Sequence, residues 1–495
     1  MTATCPRIII AGSAGDAGKT LVSLGLLAAL RRRGLHAAVF KKGPDFIDAA
    51  WLGRAAGGTC RNLDTFLMPE TEVVRSFARH TTSADIAVIE GNRGLHDGRD
   101  AQGTHSTAAL AALLNSPVML VHPVRKVTRT AAAAILGLCR FDRNISVVGV
   151  VLNGVAGERH QRVITEALAS AGGPPVVGAI PQLEEDTLLP GRHLGLITPE
   201  EHPDPDEVIS RAADIVAKYV NVDRILDAAS GINPPQEVSR QTLYAGAPQL
   251  AVGGLVNDSV RLGYFRDSAF TFYYPENLEA LAEVGAELAP ISALVDRSLP
   301  ANLDGLYIGG GFPETHAAKL AENKTLREAV RRAAAQGMPI YAECGGLVYL
   351  AQTLVVDGIP YPMAGVFPVV VVLERKPQGH GYSELMVDRE NPFFRVGAEI
   401  RGHEFHYTRI LGTTARIETA CAVTVGAGCF QQRDGLAVGR TLATYAHIHA
   451  LGTPGWAAEF VRAARAYRAE CATAVPVGCA VSESHATPGD FLSTP

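Results

Sequence analysis

The residue with the clearest potential for chemistry is Cys344, in the segment PIYAECGGLVYL at positions 339–350. The apolar run before it predicts a buried strand and the apolar run after it predicts a helix, so the cysteine stands at a strand-to-helix corner. A thiol at such a corner can be open to a substrate, and the helix N-terminus is expected to lower its pKa. The pattern indicates a nucleophile, with an inert buried cysteine as the alternative.

A second segment, GSAGDAGKT at positions 12–20, has residue types suited to phosphate binding. It follows the apolar run RIIIA and precedes a helical pattern, with Gly12 and Gly18 as turn residues. In such loops backbone N–H groups surround the phosphates, Lys19 contacts the β- and γ-oxygens, and the Thr20 hydroxyl ligates Mg²⁺. Ser13 takes the usual first-glycine position of the motif. The segment predicts an ATP and Mg²⁺ site, against the alternative of a glycine turn without function.

Several charged side chains follow two other apolar runs, in FKKGPDFID (40–48) and VIEGNRGLHDG (88–98). Because ligands of open α/β sheets bind at the carboxyl ends of strands, these side chains are expected to meet beside the phosphate loop. Carboxylates near a triphosphate need a bridging cation, so metal binding and phosphoryl transfer are favoured over loop caps and solvated acids. The predicted roles are nucleotide binding for Lys41, metal binding for Thr20, Asp45 and Glu90, and catalysis for Asp45, Asp48, Glu90 and Asp97.

The elements that must position these residues form two α/β blocks. Short apolar runs alternate with helix-length segments up to about residue 220, which predicts βαβ units and a parallel sheet. A polar segment rich in proline and glycine follows, and then a second α/β pattern begins. The expected domains are a nucleotide-binding domain at 1–220, a linker at 221–249, a second α/β domain at 250–468 and a flexible tail at 469–495.

Composition narrows the class of protein. The chain has 495 residues, 47% of them hydrophobic and 19% charged, and a net charge of −5, so it lacks the basic surface expected of a nucleic-acid binder. Its apolar runs are too short to span a bilayer, and the N-terminus enters a strand without a signal-peptide pattern. The eight cysteines lack CxxC spacing, so no zinc site is predicted. A cytoplasmic enzyme is expected, without nucleic-acid or membrane partners.

Taken together, the motifs resemble the cobyrinate a,c-diamide synthase family from residue 7 to about residue 465. Besides the segments above, the resemblance rests on RNLDTFL, VVLNGVAGERH, FTFYYPENLE, GLYIGGGFPETH, GHEFHYTR and TYAHIHA. The resemblance implies a dethiobiotin-synthetase-like ATPase domain joined to a class I glutamine amidotransferase domain. It implies L-glutamine and an anionic tetrapyrrole as ligands, with the a and c acetate groups amidated through an acyl phosphate. It leaves a homodimer open.

The resemblance also assigns roles to individual residues. Cys344 would attack the glutamine amide, His447 would act as its base, and Asn153 would read the adenine. Family members of this class often have His-x-Glu at the histidine, but here the third position is His449, so the usual acidic partner is missing from the motif. Backbone N–H groups of the glycines at 309–311 and of Gly345 are candidates for the oxyanion hole.

The choice of tetrapyrrole depends on the segments RKPQGHGYSEL (375–385) and RGHEFHY (401–407). RKPQGHGYSEL, along with FKKGPDFID and EGNRGLHDG, looks more like the branch that amidates sirohaem or nickel-sirohydrochlorin, which is slightly favoured over cobyrinate itself. The predicted substrate-binding residues are Gln378, His380, Tyr382, His403 and His406, with bracing of the amidotransferase core as the alternative. Two other classes stay open: a dethiobiotin-type ligase, which would not need Cys344, and a ParA-like partition switch, which usually carries a lysine where this chain has Ser13.

Overall fold

The computed structural model describes residues 5–183, 191–192, 195–230, 259–413 and 417–474. The apolar runs of the first half form a seven-stranded parallel sheet, as their continuous hydrophobic character predicts. The strands of this half are β1 (Arg7–Gly12), β2 (Ala37–Lys42), β3 (Cys60–Leu63), β4 (Ile86–Gly94), β5 (Val118–Pro123), β6 (Val147–Val155) and β7 (Val176–Pro181), with a separate antiparallel pair β8 (Gly191–Arg192) and β9 (Gly195–Leu196). The sheet order is β3-β2-β4-β1-β5-β6-β7.

Helices cover both faces of this sheet and bury two apolar clusters against it. They are α1 (Lys19–Arg32), α2 (Phe46–Ala56), α3 (Glu70–His80), α4 (Thr107–Leu113), α5 (Arg129–Phe141), α6 (Glu158–Ser170), α7 (Pro205–Tyr219) and α8 (Val222–Ser230). Because β1 and β4 are adjacent at the centre of the sheet, the phosphate loop after β1 lies beside the carboxyl end of β4, which carries Glu90. This topology brings the predicted charged residues together.

The second half is built on a ten-stranded sheet and a smaller four-stranded one. Its elements are β10 (Val260–Phe265), α9 (Pro275–Glu283), β11 (Ala286–Ile291), β12 (Gly305–Ile308), a 3₁₀ turn (Pro313–His316), α10 (Ala317–Glu322), α11 (Lys324–Ala335), β13 (Ile340–Glu343), α12 (Gly345–Leu350), β14 (Ala351–Val356), β15 (Ile359–Pro362), β16 (Phe367–Leu373), β17 (Gly379–Val387), β18 (Glu399–His406), β19 (Thr408–Thr413), β20 (Glu418–Val425), β21 (Arg433–Val438), β22 (Thr441–Thr444), β23 (His447–Ile448) and α13 (Trp456–Ala474).

The large sheet has the order β11-β10-β12-β13-β22-β21-β20-β17-β18-β23, and the small one has the order β15-β14-β16-β19. The half from β11 to β22 is parallel and the rest is antiparallel. Cys344 follows β13 in the parallel half, whereas His447 begins β23 at the far edge. The mixed α/β architecture confirms the predicted fold class.

Two of the predicted domain boundaries need correction. Residues 222–230, expected to be linker, form α8, which buries Val222, Ile225 and Ala229 in the core of the first half. The segment looks polar in sequence because its opposite face is solvated, while its apolar residues fall at helical spacing. Residues 469–474, expected to be tail, continue α13. The remainder of the linker up to residue 249, and of the tail, lies outside the described residues. None of the helices in the described ranges is long and apolar enough to cross a membrane.

Polar contacts hold the two halves together. Arg61 on β3 pairs with Glu276 on α9 at 3.1 Å and with Glu279 at 2.6 Å. The Tyr274 hydroxyl donates to the Pro44 carbonyl at 3.0 Å, next to the start of α2. These contacts hold β3 and the start of α2 in the first half against α9 and the residue before it in the second half.

Candidate functional site

The phosphate loop has the backbone that its sequence predicts. Gly18 has a φ of 92° and precedes α1, a conformation that glycine adopts without strain. A Cβ on Gly12 would lie 2.7 Å from the Ala14 carbonyl oxygen, so the turn needs glycine there too. Asn153 at the end of β6 packs on Gly18 and donates to the Ala17 carbonyl at 3.0 Å. The asparagine therefore braces the loop; its predicted contact with adenine stays a prediction.

Beneath the loop lies a buried charge cluster centred on Lys41. Its Nζ atom is 2.6 Å from Asp48 Oδ2 and 2.6 Å from Glu90 Oε1, and it also donates to the Gly91 carbonyl at 3.2 Å. Asp45 caps α2 by accepting from the Asp48 backbone N–H at 2.8 Å. The lysine thus neutralises two carboxylates, of which Asp48 lines the cavity next to the phosphate loop.

The electrostatics of the cluster differ from residue to residue. Burial and then the neighbouring Asp48 raise the pKa of Asp45 to about 6. Burial alone would raise the pKa of Asp48 as well, but the Lys41 ammonium holds it below its ordinary value. Burial raises the pKa of Glu90, with Lys41 opposing. The pKa of Lys41 is raised, because the three carboxylates outweigh its burial.

Thr20 and Glu90 are placed to hold a divalent cation. The Thr20 hydroxyl is 3.3 Å from Glu90 Oε1, and Glu90 Oε2 is buried without a hydrogen-bond partner. An orphaned carboxylate oxygen beside a hydroxyl suits Mg²⁺, which usually takes few protein ligands and completes its shell with water and phosphate. Within the described ranges no group of three or more His, Cys, Asp or Glu side chains forms a metal site by itself.

Asp97 lies apart from the Lys41 cluster. Its Oδ2 atom accepts from the Gly94 backbone N–H at 2.9 Å and closes the turn after β4. The residue still lines the same cavity as Asp45 and Asp48. Its position is compatible with both the predicted catalytic role and the turn-closing alternative.

Cys344 occupies the predicted corner between β13 and α12. Its φ of 47° and ψ of −98° are rare for a residue with a side chain and mark a strained turn. The Cys344 N–H donates to the Thr444 carbonyl at 2.7 Å, which ties the corner to β22. The expectation of a lowered thiol pKa is wrong for this state: burial and then Glu314 raise the pKa of Cys344, and the N–H of Gly345 offsets this only in part.

His447 lies at the same site, against the backbone of the glycine-rich segment. A Cβ on Gly310 would overlap the His447 ring, so glycine is required for this approach. The ring stacks on His403 with centroids 5.0 Å apart and contacts Phe46 at 5.2 Å. Since Phe46 is the first residue of α2 in the other half, the histidine is in contact with the nucleotide-binding domain.

Each of the two histidines of TYAHIHA has a buried carboxylate beside it. His447 Nδ1 lies 3.5 Å from Glu343 Oε2, and His449 Nε2 lies 3.5 Å from Glu276 Oε2. The approach is close enough for an ion pair but lacks hydrogen-bond geometry, so both nitrogens are unsatisfied. Sequence reasoning missed both acids; the only signal was the position of Glu343 directly before the nucleophile.

The candidates for the oxyanion hole differ in whether their backbone N–H groups already have a partner and whether they line the cavity. The Gly309 N–H already donates to the Tyr273 hydroxyl at 2.8 Å, so it is committed elsewhere. Gly311 and Gly345 approach each other closely: a Cβ on Gly345 would lie 3.0 Å from the Gly311 nitrogen. Both line the cavity at Cys344, and they remain the candidates.

One cavity of about 1290 Å³ connects the phosphate loop with Cys344. The predicted residues that line it are Gly18, Lys19, Thr20, Asp45, Asp48, Asp97, Cys344, His380, Tyr382, His403, His406 and His447. The predicted residues away from its surface are Gly12, Lys41, Glu90, Asn153 and Gln378. Gln378 does not line the cavity, and its side-chain amide donates to the Lys376 carbonyl at 3.0 Å, so its contact with the substrate stays a prediction.

The cavity is also lined by Lys42, which follows Lys41 in FKKGPDFID, and by Arg93, Arg99 and His105, which sequence reasoning left out. Burial lowers the pKa of His105, so it is not counted among the cations. Arg99 lies 4.8 Å above the Phe66 ring, which stacks on Tyr382 with centroids 4.2 Å apart. The Tyr382 hydroxyl donates to Asp64 at 2.6 Å. Tyr382 and Arg99 line the cavity, whereas Phe66 is buried beside them. An aromatic ring and a cation in the lining are compatible with a flat anionic ligand.

Family models match both halves of the chain. Residues 8–197 match the CobQ/CobB/MinD/ParA nucleotide binding domain. Residues 261–454 match the CobB/CobQ-like glutamine amidotransferase domain. The two matches correspond to the parallel sheet with the phosphate loop and to the domain that carries Cys344 and His447.

Proteins named cobyrinate a,c-diamide synthase are similar over nearly the whole chain. One from Magnetococcus marinus is 40% identical and covers 91% of this chain and 96% of its own length. One from Syntrophotalea carbinolica is 40% identical, with 92% and 98% covered. One from Archaeoglobus fulgidus is 38% identical, with 93% and 97% covered. The similarity therefore includes both domains and their order.

Proposed function

Since the chain belongs to the cobyrinate a,c-diamide synthase family, we propose that it amidates the a and c acetate carboxylates of a tetrapyrrole with ATP and glutamine. The observation that carries the proposal is the single cavity that Lys19 and Asp48 share with Cys344 and His447. A partition switch or a dethiobiotin-type ligase has no use for a thiol and a histidine in that cavity. A glutamine-dependent ligase needs both.

In the amidotransferase half, the Cys344 thiol passes its proton to His447 and attacks the side-chain amide of glutamine. The carbon–sulfur bond forms, the carbon–nitrogen bond breaks, and ammonia leaves with the proton. Backbone N–H groups of Gly311 and Gly345 are placed to receive the negative charge on the carbonyl oxygen. Water then hydrolyses the thioester, releasing glutamate and restoring the thiol.

In the nucleotide-binding half, the substrate carboxylate oxygen takes the γ-phosphoryl group of ATP, the bond to the β-phosphate oxygen breaks, and ADP leaves. Gly18 and Lys19 hold the phosphates, and Thr20 and Glu90 would hold Mg²⁺, which would supply positive charge near the phosphoryl oxygens. Asp48, ionised by the Lys41 ammonium, is available to orient groups at the reacting carboxylate. Ammonia from the other half displaces phosphate from the acyl phosphate and leaves the amide.

Two substrates remain candidates for the macrocycle. Cobyrinate is favoured because the relatives over the whole chain carry its name. Sirohaem or nickel-sirohydrochlorin is favoured by the form of RKPQGHGYSEL, from which His380 and Tyr382 line the cavity. The cationic and aromatic lining suits either, because each is a flat polycarboxylate.

An amidation assay with cobyrinate, sirohaem and nickel-sirohydrochlorin tests the proposal. We expect ATP-dependent conversion of cobyrinate at the highest kcat/KM, and His380→Ala should raise the KM for the macrocycle without changing glutamine hydrolysis. His36→Ala, at an exposed position away from the cavity, is the matched control. A preference for a sirohydrochlorin would change the substrate and leave the reaction, whereas no amidation of any tetrapyrrole would overturn the proposed function.

A further inference from the structure

We infer that Glu343 is the positioning carboxylate of the glutaminase site, in the place that the His-x-His motif leaves without an acid. The inference rests on the proposed glutaminase reaction of Cys344 and His447. It assigns to the residue directly before the nucleophile the task of orienting the base. Glu343 is not among the residues that line the cavity with Cys344 and His447, so it acts through His447.

The carboxylate of Glu343 is held in one orientation by surrounding donors. Its Oε1 atom accepts from the Tyr341 hydroxyl at 3.2 Å and from the Ile448 backbone N–H at 3.2 Å. Its Oε2 atom accepts from the Tyr307 hydroxyl at 3.1 Å and faces His447 Nδ1 at 3.5 Å. Because Ile448 follows His447 on β23, the same carboxylate holds the backbone that carries the imidazole.

The His447 ring lacks a hydrogen-bond acceptor at Nδ1, and Glu343 is the residue that can supply one. Its Nδ1 atom is buried and has no hydrogen-bond partner. An imidazole that accepts a proton on Nε2 carries its other proton on Nδ1, and a buried N–H without an acceptor is costly. A shift of a few tenths of an ångström would bring Glu343 Oε2 within hydrogen-bond distance of Nδ1.

The other charged groups around His447 are already engaged or unsuitable. His403, stacked on the ring, has its pKa lowered well below its ordinary value by burial and by His447, so it supplies no negative charge. Glu276 is turned to His449 and Arg61. Asp434 accepts from the backbone N–H groups of Tyr445 and Ala446 instead. Glu343 is the carboxylate that the described structure places at Nδ1.

The proton transfer from Cys344 through His447 to ammonia requires no gain or loss of a proton at Glu343. The thiol proton moves to Nε2 of His447, the imidazolium is stabilised by the ionised Glu343, and the proton then leaves with ammonia. The Glu343 carboxylate takes no part in the proton transfer and fixes the tautomer of the imidazole, as in other hydrolases that place an acid behind a histidine base.

Glu343→Gln tests the inference, because glutamine keeps the size and removes the charge. We expect the glutaminase kcat to fall about a hundredfold or more, with little change in the KM for glutamine. ATP-dependent amidation with ammonia should be unchanged. The acidic limb of the pH profile of kcat/KM should move to lower pH, since a negative neighbour favours the imidazolium. Glu343→Asp, which keeps the charge, should retain the wild-type limb and part of the rate.

Asp434→Asn is the matched control, because it also changes a buried carboxylate of the same domain but does not face the His447 ring. It should lower Tm without moving the acidic limb. Wild-type glutaminase kinetics in Glu343→Gln would overturn the inference, and so would a loss of the glutamine and ammonia reactions in equal proportion, which indicates a structural role. If the wild-type enzyme hydrolyses no glutamine, the proposed function fails, and that result is distinct from either.

Discussion

The two ends of the shared cavity handle charge in opposite ways. At the nucleotide end, Lys41 pairs with Asp48 and Glu90 at 2.6 Å each, so the resting site already contains a charged network. At the glutaminase end, burial raises the pKa of Cys344 and lowers that of His403, so those two groups rest neutral. The charged network at the nucleotide end therefore exists before a ligand arrives, whereas the thiol at the glutaminase end and the ring stacked on its histidine start neutral.

This difference follows from the reactions that we propose for the two ends. ATP and a carboxylate bring charge with them, so their site needs fixed counter-charges and a place for a cation. Glutamine is neutral at its side-chain amide, and charge appears there only when the thiol loses its proton. A site that creates charge transiently needs a base and an orienting acid rather than a permanent ion pair.

Cys344→Ser gives the largest expected effect and separates the two ends. Glutamine-dependent amidation should fall by at least about ten-thousandfold, because the hydroxyl cannot replace the thiol as nucleophile. Ammonia-dependent amidation should persist. The measurement is tetrapyrrole amide formation with each nitrogen source, and Cys139→Ser, away from the cavity, serves as control. Equal losses with both sources would mean that Cys344 supports the whole molecule rather than one reaction.

Glu90→Gln should have the next largest effect, at the other end of the cavity. Removing the charge beside Lys41 and Thr20 is expected to lower amidation about a hundredfold with either nitrogen source, since a lost metal contact is worth several kcal/mol. Glutamine hydrolysis should continue. Rates are compared with Glu72→Gln, which alters a surface carboxylate paired with Arg75. Near-native amidation by Glu90→Gln would mean that Glu90 has only a structural role.

Asp45→Asn should have the smallest effect of the three, a change in stability of a few degrees in Tm that depends on pH. Asp45 has its pKa raised from 3.8 to about 6 by burial and then by Asp48, so its stabilising contribution is full below pH 3.8 and is lost as pH rises through 6. Asparagine keeps the helix cap without the charge. The variant should therefore have a Tm a few degrees above wild type at pH 7.5, and the gain should shrink toward pH 4. A pH-independent difference would contradict the assignment.

Sequence reasoning predicted most of what depends on neighbouring residues. The GKT segment, its flanking strand and helix, and the corner at Cys344 are encoded within about ten residues each, and the structure confirms those elements. The apolar stripe of α8 was overlooked because its polar face dominates the composition. Glu343 at His447 and Glu276 at His449 were missed because separate strands and helices bring them together. Gln378 lies outside the cavity lining although His380 and Tyr382 belong to it, so its substrate contact stays a prediction.

The volume of the shared cavity sets the local concentration of an ammonia molecule that is released into it. One molecule confined to about 1290 Å³ corresponds to a local concentration of roughly 1 M. Ammonium salt outside the protein offers only a small unprotonated fraction at neutral pH. Dilute glutamine should therefore compete effectively with a large excess of external ammonium, and confinement achieves this without any dedicated binding site for ammonia.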